Sequence, residues 1–225
     1  MLEIVYQDAH LIAINKPHGL LVHRSSMASD AKVFALQMLR DQVNMHVSPV
    51  HRLDRKTGGL LLFALQKDVE IEMHKLFQSG SVVKKYIAIL RGYSPESMDI
   101  DYPLAKDNGV LQDAFTSFVT LKQAELNVAF GKHETSRYSL VEATPTTGRM
   151  HQLRKHFAHI CYPIIGDRKH GCNKQNRFFK EQWEMTTMLL HASELQFIHP
   201  VTQEKIWLKA DFQPEFKKVM DLMSW

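Results

Sequence analysis

An α+β fold is the architecture this sequence predicts, on three observations. Segments that read as strands outnumber those that read as helices and do not alternate with them regularly, which argues against a doubly wound parallel sheet. The helical segments carry their apolar residues on one stripe, as helices lying on a sheet do. No internal repeat, low-complexity linker or sharp break in composition interrupts the 225 residues. The expectation is a single mixed α+β domain over 1–225.

The elements follow in order. Ile4 to Tyr6 and Leu11 to Ile14 read as a hairpin turning over Gln7 to His10. Asn15-Lys16-Pro17-His18-Gly19 is a turn cluster, and Leu20 to Val22 resumes a strand. Ser29 or Asp30 is placed to cap a helix to Val43, with Val33, Leu36, Leu39 and Val43 on one face. Leu60 to Leu65 is an unbroken apolar run, the pattern of a strand covered on both faces. Asp68 opens a helix with Val69, Met73, Leu76 and Phe77 inward, and Gly80 is placed to end it. Val82 to Gly92 is a strand, 93–108 is polar and turn-rich, and Val110 to Phe130 holds one or two strands. Arg137 to Ala143 is a strand by composition. Pro145 to Gly148 turns into a helix over Arg149 to Ile160, with Met150, Leu153, Phe157 and Ile160 on one stripe. Gly166 to Trp183 reads as irregular and basic. Met188 to Phe197 and Lys205 to Lys209 are late strands, and Pro214 starts a last amphipathic helix.

Composition narrows the class. A hydrophobic share of 44% and a charged share of 23% are those of an ordinary globular chain. No apolar run approaches the roughly 18 residues that span a bilayer. The first residues carry early acids and no basic run, unlike a secretion signal. Cys161 and Cys172 form no CxxC pair, so a reduced, cytoplasmic protein without disulfides is expected. The net charge of +4 is concentrated. Arg168, Lys169, Lys174, Arg177 and Lys180 face one acid, Asp167, and Arg149, Arg154 and Lys155 lie just upstream. Such a stretch suits either a phosphate backbone or plain solvent.

The chemistry-bearing stretch is His51-Arg52-Leu53-Asp54-Arg55-Lys56-Thr57-Gly58-Gly59. Flanking cations favour the charged form of a carboxylate. Held on a turn before a buried strand, Asp54 reads as a nucleophile, a positioned base, or a surface ion pair. GxGxxG, GxxxxGK[ST] and G-x-S-x-G are absent, so nothing supports a nucleotide cofactor or a serine nucleophile. His151, His156 and His159 are interleaved with Arg149, Arg154 and Lys155, a poor setting for a divalent cation, so no metal is expected. Arg154 can pair with a buried carboxylate or snorkel to solvent. Tyr86 is either a stacking platform for a planar base or a plain strand aromatic.

Several motifs together resemble the RluA-type pseudouridine synthases. His51-Arg52-Leu53-Asp54-x-x-Thr57-x-Gly59 is similar to the family's signature. Asn15-Lys16-Pro17-x-Gly19-x-x-Val22-His23 resembles its first motif and Lys85-Tyr86 its Lys/Arg-x-Tyr strand. Thr147-Gly148-Arg149-x-His151-Gln152-Leu153-Arg154-x-His156 resembles its late motif. Pro163-Ile164-x-Gly166-Asp167 and Leu190-His191-Ala192 complete the order, which spans nearly the whole chain. Gly58 departs from the family, which commonly has Ser there.

The resemblance implies a pseudouridine synthase fold, with a mixed, mostly antiparallel central sheet, flanking helices and loops and an active-site cleft across the sheet, and no separate N-terminal RNA-binding domain. It implies isomerisation of uridine to pseudouridine in structured RNA, without cofactor or metal. Asp54 would be the essential carboxylate, paired with Arg154. Tyr86 would stack on the target base, Leu153 would pack in the pocket floor, and Arg52 would fill the gap left by the flipped nucleotide. Arg149, His151, Arg168, Lys169 and Arg177 would hold the RNA. Lys169-His170-Gly171 followed by Gln175-Asn176-Arg177, with Met1-Leu2-Glu3-Ile4, Val22-His23-Arg24-Ser25 and Arg40-Asp41-Gln42, resembles the branch that modifies tRNA. That branch acts at nucleotide 65 in conventional tRNA numbering, on the T-stem side of the acceptor arm. The implied partner is RNA, a tRNA, with no membrane and with the protein as a monomer. Ribosomal RNA as substrate, a non-catalytic RNA-binding module and a histidine-based metal hydrolase are the rival readings.

Overall fold

The computed structural model describes residues 1–23 and 33–225. β1 (Glu3–Gln7) and β2 (Leu11–Lys16) form the expected hairpin. Its turn is held by Asp8, whose carboxylate accepts the amides of His10 at 2.7 Å and Leu11 at 2.6 Å. The segment from Leu20 to Val22 is not the expected strand: Leu21 makes a single bridge to Phe34. The Leu21 and Val22 carbonyls instead accept the amides of Ala35 at 2.8 Å and Leu36 at 3.0 Å. α1 (Ala35–Val43) starts later than expected, with Phe34 as N-cap; Ser29 and Asp30 lie outside the described residues. Val33 is exposed ahead of the helix, and Ala35 and Leu39 form the buried face.

β3 (Ser48–Pro49) pairs with β4 (Gly58–Ala64), and every residue of β4 is buried. α2 (Lys67–Gln78) buries Val69 and Met73, and Gly80 follows at a φ of 77°. β5 (Val83–Arg91) comes next. β6 (Ser97–Asp101) and β7 (Leu104–Ala105) occupy the stretch expected to be turn. Only Ile100 of Ser-Met-Asp-Ile-Asp is buried, so β6 has no apolar pattern to read; its pairing with the next long strand makes it a strand. β8 (Leu111–Gln112), β9 (Phe115–Leu126) and β10 (Ser136–Pro145) follow.

α3 (Gln152–His159) is shorter than expected, since His151 sits in the left-handed region at a φ of 56°. Met150 is therefore exposed rather than on the inner stripe. The basic stretch is not irregular throughout: α4 (Asn173–Trp183) lies within it and buries Gln175 and Phe179. β11 (Leu190–Ile198), β12 (Lys205–Lys209) and α5 (Pro214–Leu222) close the chain, the last with Pro in its first turn. Among the described residues no helix is long and apolar enough to cross a membrane.

The chain forms two compact units, Met1–Lys84 with Ala192–Phe212, and Lys85–His191 with Gln213–Trp225. In the first, the strand order is β1-β2-β4-β11, with β3 on β4 and β12 on β11. Alternate residues of β4, Leu60, Leu62 and Ala64, meet Val69 and Met73 of α2 in its core. Gly59 lies in β4 at a φ of 103°, and a Cβ there would sit 2.2 Å from the Ala192 carbonyl oxygen. Only glycine permits that approach of β4 to β11. In the second unit, β5, β10, β9 and β6 pair antiparallel in that order. Leu153 and Phe157 of α3 cover its core with Leu90, Phe118, Val141 and Leu190. The observed architecture is the expected mixed, mostly antiparallel α+β fold.

Candidate active site

In the first unit, Asp54 is half-buried in the loop between β3 and β4. Its carbonyl accepts the Thr57 amide at 3.1 Å, closing a turn. The 15–20 segment clamps that turn. Lys16 is wholly buried, and its Nζ donates to the carbonyls of Pro17 at 3.0 Å, Leu20 at 2.9 Å and Arg55 at 3.3 Å. The Gly19 amide donates to the Arg55 carbonyl at 2.9 Å, and Arg55 Nε returns a bond to the Gly19 carbonyl at 3.1 Å. His18 Nδ1 lies 2.7 Å from the Lys56 carbonyl, so that nitrogen carries the proton. The two sequence motifs are thus one structure, joined through backbone carbonyls.

On the upstream side, His51 Nε2 accepts the Leu62 amide at 3.0 Å, and the ring stacks on Phe77 at 4.8 Å between centroids. Burial, and then the nearby Lys84 ammonium, push its pKa down to about 3. The ring is neutral, as an acceptor must be. Leu53 is buried while Arg52 stands exposed beside Asp54. The loop therefore has a fixed root and two exposed arginines, Arg52 and Arg55, the second tied by its Nε to the Gly19 carbonyl.

Lys16 has a consequence for stability. Burial pushes its pKa down to about 7, against the pull of the Asp54 carboxylate. The unfolded chain keeps the ordinary lysine value near 10.4. Between about pH 7 and that value the unfolded state binds the extra proton, so the parent gains stability as pH rises. A Lys16→Met variant lacks this dependence. In urea titrations the parent should gain on Lys16→Met by up to about 1.4 kcal/mol for each pH unit above 7. A gap that stays constant from neutral to alkaline pH would show that this lysine is not held as described.

In the second unit, the late motif divides its residues between two tasks. Gln152 and His156 belong to a buried network. The Thr147 hydroxyl and Arg149 amide donate to Gln152 Oε1 at 2.7 and 3.0 Å. Gln152 Nε2 donates to the Phe115 carbonyl at 2.9 Å and to Thr116 Oγ1 at 3.1 Å. His156 Nδ1 lies 3.0 Å from Thr116 Oγ1, and its Nε2 lies 3.0 Å from the Tyr102 carbonyl. One tautomer serves both contacts: Nε2–H donates to the carbonyl and Nδ1 accepts the hydroxyl. His156 thus fastens α3 to β9, and burial lowers its pKa.

Arg154 is the other task. It is buried rather than snorkelling to solvent, and it grips Asp167 bidentately, with Nε–Oδ2 at 2.7 Å and a terminal nitrogen to Oδ1 at 2.8 Å. Asp167 Oδ1 also accepts the amides of Lys169 at 2.9 Å and His170 at 3.1 Å. Burial alone would raise the Asp167 pKa; the Arg154 bond and the two amides outweigh it and hold the carboxyl below its ordinary range. The turn so wrapped presents Arg168 and Lys169 exposed. His151 Nδ1 lies 2.9 Å from His170 Nε2, one proton lying between them, which ties that turn to the start of α3. Tyr86, on β5 opposite Ala143, packs half-buried on the cluster that contains Leu153. Arg177 is exposed on α4.

Each unit thus gathers part of the expected set. Arg52 and Asp54 share a loop in the first. Tyr86 and Leu153 share a cluster in the second, where Arg154, Lys169 and His151 converge around Asp167 and His170. Sequence reasoning gave no individual role to Lys16 or Asp167. Their signals were present: a lysine in an Asn-Lys-Pro turn next to a buried strand, and the single acid among five cations.

The family model described as RNA pseudouridylate synthase matches residues 10–159. The tRNA pseudouridine synthase C of Vibrio cholerae is 43% identical over 236 residues, covering 100% of this chain and 97% of that protein. The tRNA pseudouridine synthase C of Yersinia pestis is also 43% identical, covering 100% of this chain and 92% of that protein. Among solved structures, human RNA Pseudouridylate Synthase Domain Containing 4 superposes with a TM-score of 0.75 at 26% identity, covering 99% of this chain and 93% of that one. Human RNA Pseudouridylate Synthase Domain Containing 1 shares the fold, with a TM-score of 0.75 at 23% identity over 96% of this chain and 86% of that one. By the family match and the full-length relatives, the chain belongs to the RNA pseudouridylate synthase family and is an enzyme, an isomerase, of that kind.

Proposed function

We propose that this chain isomerises a uridine of tRNA to pseudouridine, at nucleotide 65 on the T-stem side of the acceptor arm. The observation that carries the reading is the full-length 43% identity to enzymes named for tRNA pseudouridine synthesis. The clamped Asp54 turn supports it. In the reaction the N1–C1′ bond breaks, the base turns over and a C5–C1′ bond forms; the C5 proton is released and N1 takes one up, so composition is unchanged and no oxidant, reductant or group donor is consumed. Asp54 is the essential carboxylate.

A base inside an RNA stem must be extruded, at a cost of a few kcal/mol in lost stacking. Tyr86 takes the face of the extruded base, on a strand position already packed against Leu153. Arg52, exposed beside Asp54, fills the vacated stack. Arg154 places its charge at the pocket, on a side chain that Asp167 holds rigid. Arg149, His151, Arg168, Lys169 and Arg177 contact phosphates, which position the RNA without reading its sequence. The protein works as a monomer without cofactor or metal.

Transcripts of tRNA with uridine or cytidine at nucleotide 65, and a ribosomal RNA transcript, test this directly. Pseudouridine should form at 65 in the first, and neither of the others should yield product. Product in ribosomal RNA alone, or at another tRNA nucleotide, would overturn the substrate assignment.

A further inference from the structure

We propose that a groove between the β7–β8 hairpin and the start of α3 binds the sugar-phosphate backbone of the RNA, through Lys106, Arg149 and Lys155. The proposal rests on RNA being the substrate and adds a contact site to that reading. The groove measures about 370 Å³ and is lined by Leu104, Lys106, Asp107, Arg149, Met150 and Lys155 among others. That volume lies within the roughly 300–1,000 Å³ of small-ligand clefts.

The groove is built rather than incidental. The hairpin pairs Leu104 with Gln112 and Ala105 with Leu111. Its base is fastened along α3: the Tyr102 ring stacks on His159 at 3.6 Å, and the Tyr102 carbonyl takes the His156 proton at 3.0 Å. Further along, Lys155 Nζ donates to the Ala105 carbonyl at 3.1 Å. Arg149 Nε donates to the Asp113 carbonyl at 2.9 Å. Each of these cations spends one donor on the backbone, which fixes its position, and keeps others for a ligand. Lys106 stands exposed on the hairpin.

Charge decides the occupant. Three cations face one carboxylate, Asp107, in a groove open to solvent. An arginine fork and two point-charge lysines are the groups that hold phosphate. Leu104 and Met150 add an apolar wall against which a ribose can lie. The site is also continuous with the rest of the basic surface. Arg149 is two residues from His151, which is bonded to His170 beside the exposed Lys169. A backbone entering at the hairpin can follow these cations to the 168–170 turn.

The test uses the full chain with a tRNA transcript, and measures affinity across a salt series. Each phosphate contact adds close to one unit to the slope of log affinity against log salt. Lys106→Gln should weaken binding about fivefold and flatten the slope by about 0.7–1, and the Lys106→Gln/Lys155→Gln variant should do roughly twice as much on the slope. The weakening should be equal on a tRNA lacking the target uridine. Lys106→Arg should restore both affinity and slope, and Asp107→Asn should tighten binding. Loss of affinity at an unchanged slope, or a double variant that binds like the parent, would overturn the groove. A parent protein that binds tRNA with the full slope but makes no pseudouridine would sink the activity and leave the groove standing.

Discussion

Asp54→Asn is expected to lower pseudouridine formation by on the order of 10⁴-fold or more, while tRNA binds as to the parent. The substitution removes the carboxylate, and with it the charge that favours the Lys16 ammonium, but keeps the backbone bonds of the turn. The bond that closes the Asp54 turn uses its backbone carbonyl, and the Lys16 grip on the loop uses the carbonyl of Arg55. Asn leaves both in place. His51 still anchors the upstream side through the Leu62 amide. A lost product therefore reports the chemistry and not the loop. Nucleoside analysis after single-turnover reaction, beside filter binding of the same tRNA, separates the two. Retained product would end the assignment of the reaction to this residue. Lost product together with lost binding would show that the loop had moved.

The second large effect is on stability. Arg154→Met should destabilise the fold by roughly 3–5 kcal/mol, because it leaves the Asp167 carboxylate buried without its guanidinium. Asp167 is 1% exposed and Arg154 7%, so solvent does little to screen the loss. Asp167 has a folded-state pKa below its ordinary value. Its contribution is therefore present above the unfolded value, near 3.9, and is lost as pH falls through the folded one. In Arg154→Met that acid-side stabilisation should disappear, and the carboxyl should tend to protonate. Arg154→Met with Asp167→Leu should recover part of the loss, since the Asp167 charge is removed together with the guanidinium that held it. Urea titration at neutral and acid pH measures all three proteins. An Arg154→Met variant within about 1 kcal/mol of the parent would show that the pair does not hold the 167–171 turn.

The residues that were easy to read are those whose local pattern and final role coincide. Leu60 to Ala64 is buried on both faces, as an unbroken apolar run requires, and Val69 and Met73 face inward at helical spacing. Pro214 opens α5 where its missing amide costs nothing. β6 was not legible, because four of its five residues are exposed and its partner β9 supplies the order. α4 was hidden by its composition: lysines and an arginine on its outer face masked Gln175 and Phe179 within. Helical periodicity put Met150 on the inner stripe, but His151 in the left-handed region breaks the phase there.

From the chain of residues alone came the family, the loop that carries Asp54, and the strands and helices that bury apolar faces, since side-chain type and spacing encode these locally. Folding decided which charges are structural. Lys16 became a buried clamp on backbone carbonyls, His156 a neutral strut to Thr116 and Tyr102, and Asp167 the partner that makes Arg154 rigid. A charged side chain in a list of residues has no partner and no dielectric around it. Both come from atoms distant in sequence, so its role exists only once those atoms have been packed beside it.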